Sequence, residues 1–357
     1  MDWLFVDDSR EDRDSFARAL SQGGVVSVTA ISATEARSQL AESKLAAAGL
    51  LMDIDLSNES QSKESGLGLT ADIRAAQHRE TTPAFPIVRF SYRDKVAANI
   101  GSDSSSDDSF DLKIDKDRLS NEGIIPAVQQ KLLGVAEVYV GVGKASTAEV
   151  FGLDEDRWGA WGSRAFSEEL GLSDRTYVKA RLVVQGLVTP GFLISEDILA
   201  ARLGIDREGS RGWDDLTKAL TKIAYGGLAS EHFRRWWARG LEELWSEISP
   251  DDPLAGTNIT DRHAALSKHF EGLVPLKMRE DSPGQRPWRG CELTYEETGE
   301  FLAVDPSRAV RFRARMTVPD WADPTYAALG PAIKHAEDPR LDSGDLKRLQ
   351  SSLRKAQ

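Results

Sequence analysis

Within the first 118 residues, short apolar runs alternate with amphipathic stretches, and several of the runs stop on a polar or charged side chain. The runs are WLFV (3–6), VSVTAIS, GLLMDIDL (49–56), FPIVRFS and SFDLKI. Between them, SREDRDSFARALSQ, ATEARSQLAES and GLGLTADIRAAQ carry helical spacing, and DKVAANI reads as a weaker helix. Near-continuous apolar strands separated by helices predict a parallel sheet covered on both faces. Burying a carboxylate at the end of such a strand is costly unless it is paired. Ligands of open parallel sheets, however, collect at the carboxyl ends of the strands.

The first run leads into Asp7 and Asp8, and the third into Asp53, with Asp55 two positions on. The fourth ends on Ser91, and the fifth carries Lys113. Clustered carboxylates repel one another and need a countercharge, for which Mg²⁺ has the right preference for oxygen. Such an ion neutralises an incoming phosphoryl group so that one carboxylate can attack phosphorus. A lysine and a hydroxyl then hold the phosphoryl oxygens. Capping of the first helix is the plainer explanation for Asp7 and Asp8. It leaves the polar groups at the later strand ends without a role.

In this order, FVDDS, LLMDIDL, GLGLTADIR, PIVRFS and DSFDLK resemble the receiver domain of bacterial two-component response regulators, over residues 1–118. The resemblance implies a flavodoxin-like, five-stranded parallel sheet, with residues 119–145 forming the last receiver helix and a linker. It implies a phosphoprotein whose Asp53 accepts a phosphoryl group from a partner histidine kinase, with Mg²⁺ as cofactor. Asp7 and Asp8 become the acidic pair, Asp8 the direct metal ligand, and the backbone carbonyl of Asp55 a further ligand. Ser91 matches the family's hydroxyl, Lys113 its lysine, and Phe110 its aromatic switch on the fifth strand. Departures are the long, proline-free SNESQSKESG loop, Tyr92 after the hydroxyl, Ile114 in place of a proline, and the polar SDSSSDDS in place of the second half of the fourth helix. They support a second reading, a receiver that serves only as a docking module.

Residues 146–357 read as a mainly helical effector domain with a small β element and no recognised type. Helices are expected over 163–170, 174–185, 195–203, 213–224, 230–248, 261–272 and 340–356, and paired strands in CELTYEETGEFLAV and AVRFRARMTV. Residues 163–191 also fit a helix-turn-helix, which makes Arg175, Lys179 and Arg181 candidate DNA contacts. DNA binding is not the favoured output, because residues 1–118 hold 21 acidic and 14 basic residues and the remainder 36 and 31. Eight of nine tryptophans lie beyond residue 150, as domain core or as a face for a protein partner. No catalytic motif marks this part as an enzyme. With no apolar run of about 18 residues, no basic signal region in MDWLFVDD and Cys291 as the only cysteine, the expected location is cytoplasmic, without membrane association.

Overall fold

The computed structural model describes residues 1–57, 65–92, 95, 109–120, 122–143, 145–270, 276–279, 288–299, 301–313 and 318–356. The loop stretch 58–64, the serine-rich 101–108 and most of DKVAANI therefore lie outside the described residues.

Five parallel strands form one sheet in the order β2-β1-β3-β4-β5, with β1 Asp2–Val6, β2 Ser27–Ile31, β3 Gly49–Met52, β4 Ile87–Ser91 and β5 Leu112–Asp115. All four residues of β3 are buried, as a central strand covered on both faces requires. Helices α1 Arg10–Leu20, α2 Ala33–Ala41 and α3 Gly66–His78 make the crossovers. Each has a serine N-cap that accepts a backbone N–H of its first turn: Ser9, Ser32 and Ser65. Ser9, not Asp8, therefore caps α1. The chain changes direction across the sheet between β1 and β3, the switch point at which open α/β sheets bind ligands.

A longer helix, α4 Ile125–Gly141, buries Val128, Leu132, Val135 and Val138. On another face it carries Gly134 and Gly141, seven positions apart. A Cβ on either would stand 2.6 Å from Phe233 or Leu228, so the missing side chains make room for the segment 227–233.

Contacts divide the chain into two compact units. The first comprises Met1–Gly152 with Ser167–Gln185 and Gly227–Phe233; the second comprises Leu153–Phe166, Gly186–Gly226 and Arg234–Gln357. The division does not follow a single cut in the sequence.

The second unit is mostly helical, with short two-stranded pairings. Its core gathers Ile198, Leu199, Trp213, Leu216, Trp236, Leu241, Trp245 and Leu266. Trp158, Phe166, Phe192, Trp237 and Trp321 form an aromatic group, with Phe166 to Trp321 at 5.3 Å and Trp158 to Trp237 at 6.0 Å. Seven of the eight tryptophans beyond residue 150 are buried, so these rings build the core.

Two expectations for residues 146–357 fail. Residues 230–248 are not one helix: Trp236–Trp237 pairs antiparallel with Leu193–Ile194, and the helix begins at Ala238. Adjacent tryptophans that are both buried fit a strand, whose neighbours face opposite ways, better than a one-sided helix. CELTYEETGEFLAV is not strand throughout, since Glu292–Thr298 is a helix capped by the Cys291 thiol and ended by Gly299 in the left-handed region at φ 67°. The AVR end of the second segment does pair, Ala309–Arg311 against Tyr326–Ala328.

Candidate functional site

Parallel register brings the strand ends together. Val6 lies opposite Met52, so Asp7 and Asp53 emerge side by side, and the Asp53 N–H donates to the Val6 carbonyl at 2.9 Å. Ser91 lies opposite Asp115, which puts Lys116 one step beyond the same edge. Asp7, Asp8 and Asp53 are all buried, with carboxylate oxygens within 4.8 Å of one another.

Asp53 is bonded through both oxygens. Its Oδ1 accepts the Ser91 hydroxyl at 2.5 Å and the Ile54 N–H at 2.8 Å. Its Oδ2 accepts Lys116 Nζ at 2.8 Å and Lys95 Nζ at 3.1 Å. Lys116 also donates to Asp7, whose other oxygen accepts the Ser9 N–H. Lys95 reaches Asp8 at 3.5 Å.

The lysine at the carboxylates is therefore Lys116, not the expected Lys113. Lys113 sits inside β5 between the buried Leu112 and Ile114, so strand alternation turns it to solvent. Lys116 is fully enclosed, with Nζ 5.1–5.9 Å from the ring centres of Tyr92, Phe5, Phe90 and Phe16. Ring faces and two carboxylates make a buried ammonium tolerable there. Phe110 precedes β5 and packs into the core with Leu69, Ile73 and Phe85. Contrary to expectation, Phe110 is thus not on the fifth strand, and it stands six residues before Lys116.

Electrostatics separate the two neighbouring aspartates. Burial raises Asp7 to about 6, with Lys116 opposing the shift and Asp53 adding to it. Burial acts the same way on Asp53, but Lys116, Ser91 and Lys95 together hold it below the ordinary value. Burial disfavours the Lys95 charge, yet Asp53 and Asp8 outweigh it and keep the ammonium protonated. Tyr92 is pushed up to about 12 by burial and by Asp12 and Asp7.

Two further residues complete the site. Asp55 is half-buried, pairs with Ser65 across an isolated bridge and accepts the Ser57 N–H at 3.1 Å through its side chain. Gly66 then passes so close that a Cβ would stand 1.8 Å from the Asp53 carbonyl oxygen, so only glycine fits. Neither Gly66 nor Lys95 is singled out by the sequence. The glycine has a signal in its place at the start of a helix-period run, whereas Lys95 lies in the weakly helical DKVAANI, which carries no motif for a site.

The candidate DNA contacts lie elsewhere. Arg175 pairs with Glu80, Arg181 stands 3.7 Å from Asp111, and Lys179 stands 3.8 Å from Asp174. Asp111 is itself the centre of a buried network, accepting Arg74 at 2.6 Å, the Tyr139 hydroxyl at 2.8 Å and the Ile87 N–H at 2.7 Å. All three basic residues thus face acidic side chains of their own unit.

No family model and no curated protein matches the chain. Among solved structures it is similar to NtrX from Brucella abortus in complex with ADP, at 16% identity over 64% of this chain and 56% of that one, TM-score 0.31. A second NtrX structure gives 24% identity over 41% and 32%, TM-score 0.25. RcsB from Salmonella enterica serovar Typhimurium, bound to promoter rprA in the presence of phosphomimetic BeF3-, gives 14% identity over 51% and 99%, TM-score 0.25. The chain thus spans between a third and somewhat over half of the NtrX chains. Overlays this loose carry no functional weight. The site's own geometry does, and the doubly wound sheet with three converging carboxylates fits a receiver-type fold.

Proposed function

We propose that the first unit is a response-regulator-type receiver whose Asp53 accepts a phosphoryl group from the phosphohistidine of a partner histidine kinase. The second unit is then the effector, controlled by that event and acting through protein interaction. The observation that carries this reading is the convergence of Asp7, Asp8, Asp53, Ser91 and Lys116 at one sheet edge.

The donor set fits Mg²⁺. Three carboxylates supply hard oxygens, and the Lys95 ammonium between Asp8 and Asp53 is a cation standing in the same field. Asp7, Asp8 and Asp53 would hold the ion, with the backbone carbonyl of Asp55. Bound there, it supplies charge neutralisation for the phosphoryl oxygens.

In the transfer, an Asp53 oxygen forms a bond to phosphorus as the phosphorus–nitrogen bond breaks, and the imidazole leaves with its electron pair. Asp53 suits this role because its carboxylate is held ionised. Ser91 and Lys116, already bonded to its two oxygens, pass to the phosphoryl oxygens. Lys116 lies one residue beyond β5, so its movement is conveyed to the strand that starts next to Asp111.

Incubation with acetyl phosphate and Mg²⁺, read by intact mass, tests the proposal. Wild type and Asp55→Asn should gain one phosphoryl group, and Asp53→Asn none. Labelling that survives in Asp53→Asn counts against it. The docking-module reading is favoured by one observation: Asp53 is fully buried and bonded at both oxygens. It predicts no labelling of any variant. DNA binding through Arg175, Lys179 and Arg181 finds less support, since Arg175 and Arg181 face Glu80 and Asp111.

A further inference from the structure

We infer that Lys95 is a built-in cation holding the metal position shut, so that a divalent ion enters by displacing its ammonium. This rests on the reading that the carboxylate trio takes such an ion. Among the described residues, two lysines serve three carboxylates here, and their surroundings differ. Lys116 has no exposed side-chain surface, touches Asp7 and Asp53, and lies among four aromatic rings. It is built in as part of the core. Lys95 comes from beyond β4, and its side chain keeps 23% of its surface exposed.

Lys95 spans Asp8 and Asp53, at 3.5 Å and 3.1 Å, the two carboxylates that a shared metal ion must join. An ammonium and a dication cannot occupy one locus, because like charges a few ångströms apart in a buried site repel strongly. The four-carbon stem of lysine lets the head swing out to water without disturbing the sheet. Asp53 and Asp8 are themselves buried, so the partly exposed Lys95 is the side chain whose departure opens the pair.

The metal-free site is consequently stable, and the cost of moving Lys95 is subtracted from the affinity for the incoming ion. The residue also gives the site a discriminating step. A divalent ion gains two carboxylates at once when Lys95 leaves, whereas a monovalent ion only replaces one unit charge with another.

Calorimetric titration of the full chain with Mg²⁺ alone, without any phosphodonor, tests this. Lys95→Met should bind Mg²⁺ about tenfold more tightly than wild type or better. Lys95→Arg, which keeps the charge, should bind as weakly as wild type. Lys95→Gln gives the same test if the methionine variant does not fold, and circular dichroism checks folding in each case. Asp8→Asn should abolish binding in either background. Equal affinity in wild type and Lys95→Met overturns the inference while leaving the receiver reading intact. Absence of Mg²⁺ binding in every variant overturns both the inference and the metal part of that reading. Tighter binding in Lys95→Met supports the inference whether or not Asp53 is ever labelled.

Discussion

The two units bury charge in different ways. In the first, Asp7, Asp53 and Lys116 converge on one point just beyond the strand ends, where their side chains satisfy one another. In the second, the buried Arg202 and Arg262 reach backbone carbonyls, those of Trp288 and Arg202, and Arg202 also pairs at 3.4 Å with Asp323, a carboxylate it shares with Arg289. These arginines brace chain segments, and around them lies an aromatic core. Three carboxylates sharing two ammonium groups at the strand ends leave oxygens placed for a ligand, whereas two arginines closing on one carboxylate and on backbone carbonyls hold the fold.

The largest expected effect breaks the charged cluster. Lys116→Met leaves two buried carboxylates without their shared ammonium and should cost about 3–5 kcal/mol of stability in denaturant unfolding. A loss below 1 kcal/mol would mean the cluster is more hydrated than its burial indicates. The matching change in the other unit is apolar. Leu199→Ala removes a fully buried side chain and should cost about 2–5 kcal/mol, with Mg²⁺ affinity unchanged. An altered affinity would show that the two units do not separate in function.

A subtler outcome concerns pH. Asp7 is raised from its ordinary 3.8 to about 6, chiefly by burial. Between those values the folded chain holds a proton that the unfolded chain has released, so this residue makes stability fall as pH rises through the window. Metal-free wild type should show that slope and Asp7→Asn should lack it, as followed by thermal unfolding in a chelator. Parallel curves would place the Asp7 proton elsewhere. Smallest of all is Lys113→Met, expected within about 0.5 kcal/mol because the side chain is exposed. A cost comparable with that of Lys116→Met would restore Lys113 to the site.

The sheet was legible because four-residue apolar runs and capped helices alternate without conflict. Asp7, Asp8, Asp53 and Ser91 were legible for the same reason, each standing at or just past the end of a run. That rule also points to Lys116, the first residue after Asp115, but the strand LKID holds a lysine of its own. Choosing between them needed the alternation of Leu112 and Ile114 to fix which way Lys113 faces. Lys95 was not legible, since nothing local says that its stem will cross to Asp8 and Asp53. Residues 230–248 obeyed helical spacing, yet pairing of Trp236–Trp237 with Leu193–Ile194 prevailed. There tertiary pairing overrode a local pattern.

The most direct measurement traps the acyl phosphate where it forms. After exposure to acetyl phosphate and Mg²⁺, borohydride reduction converts a phosphorylated aspartate to homoserine, and peptide mass mapping then locates it. The account predicts conversion at residue 53 and at no other aspartate. Conversion at Asp7, Asp8 or Asp55, or none at all, would contradict it.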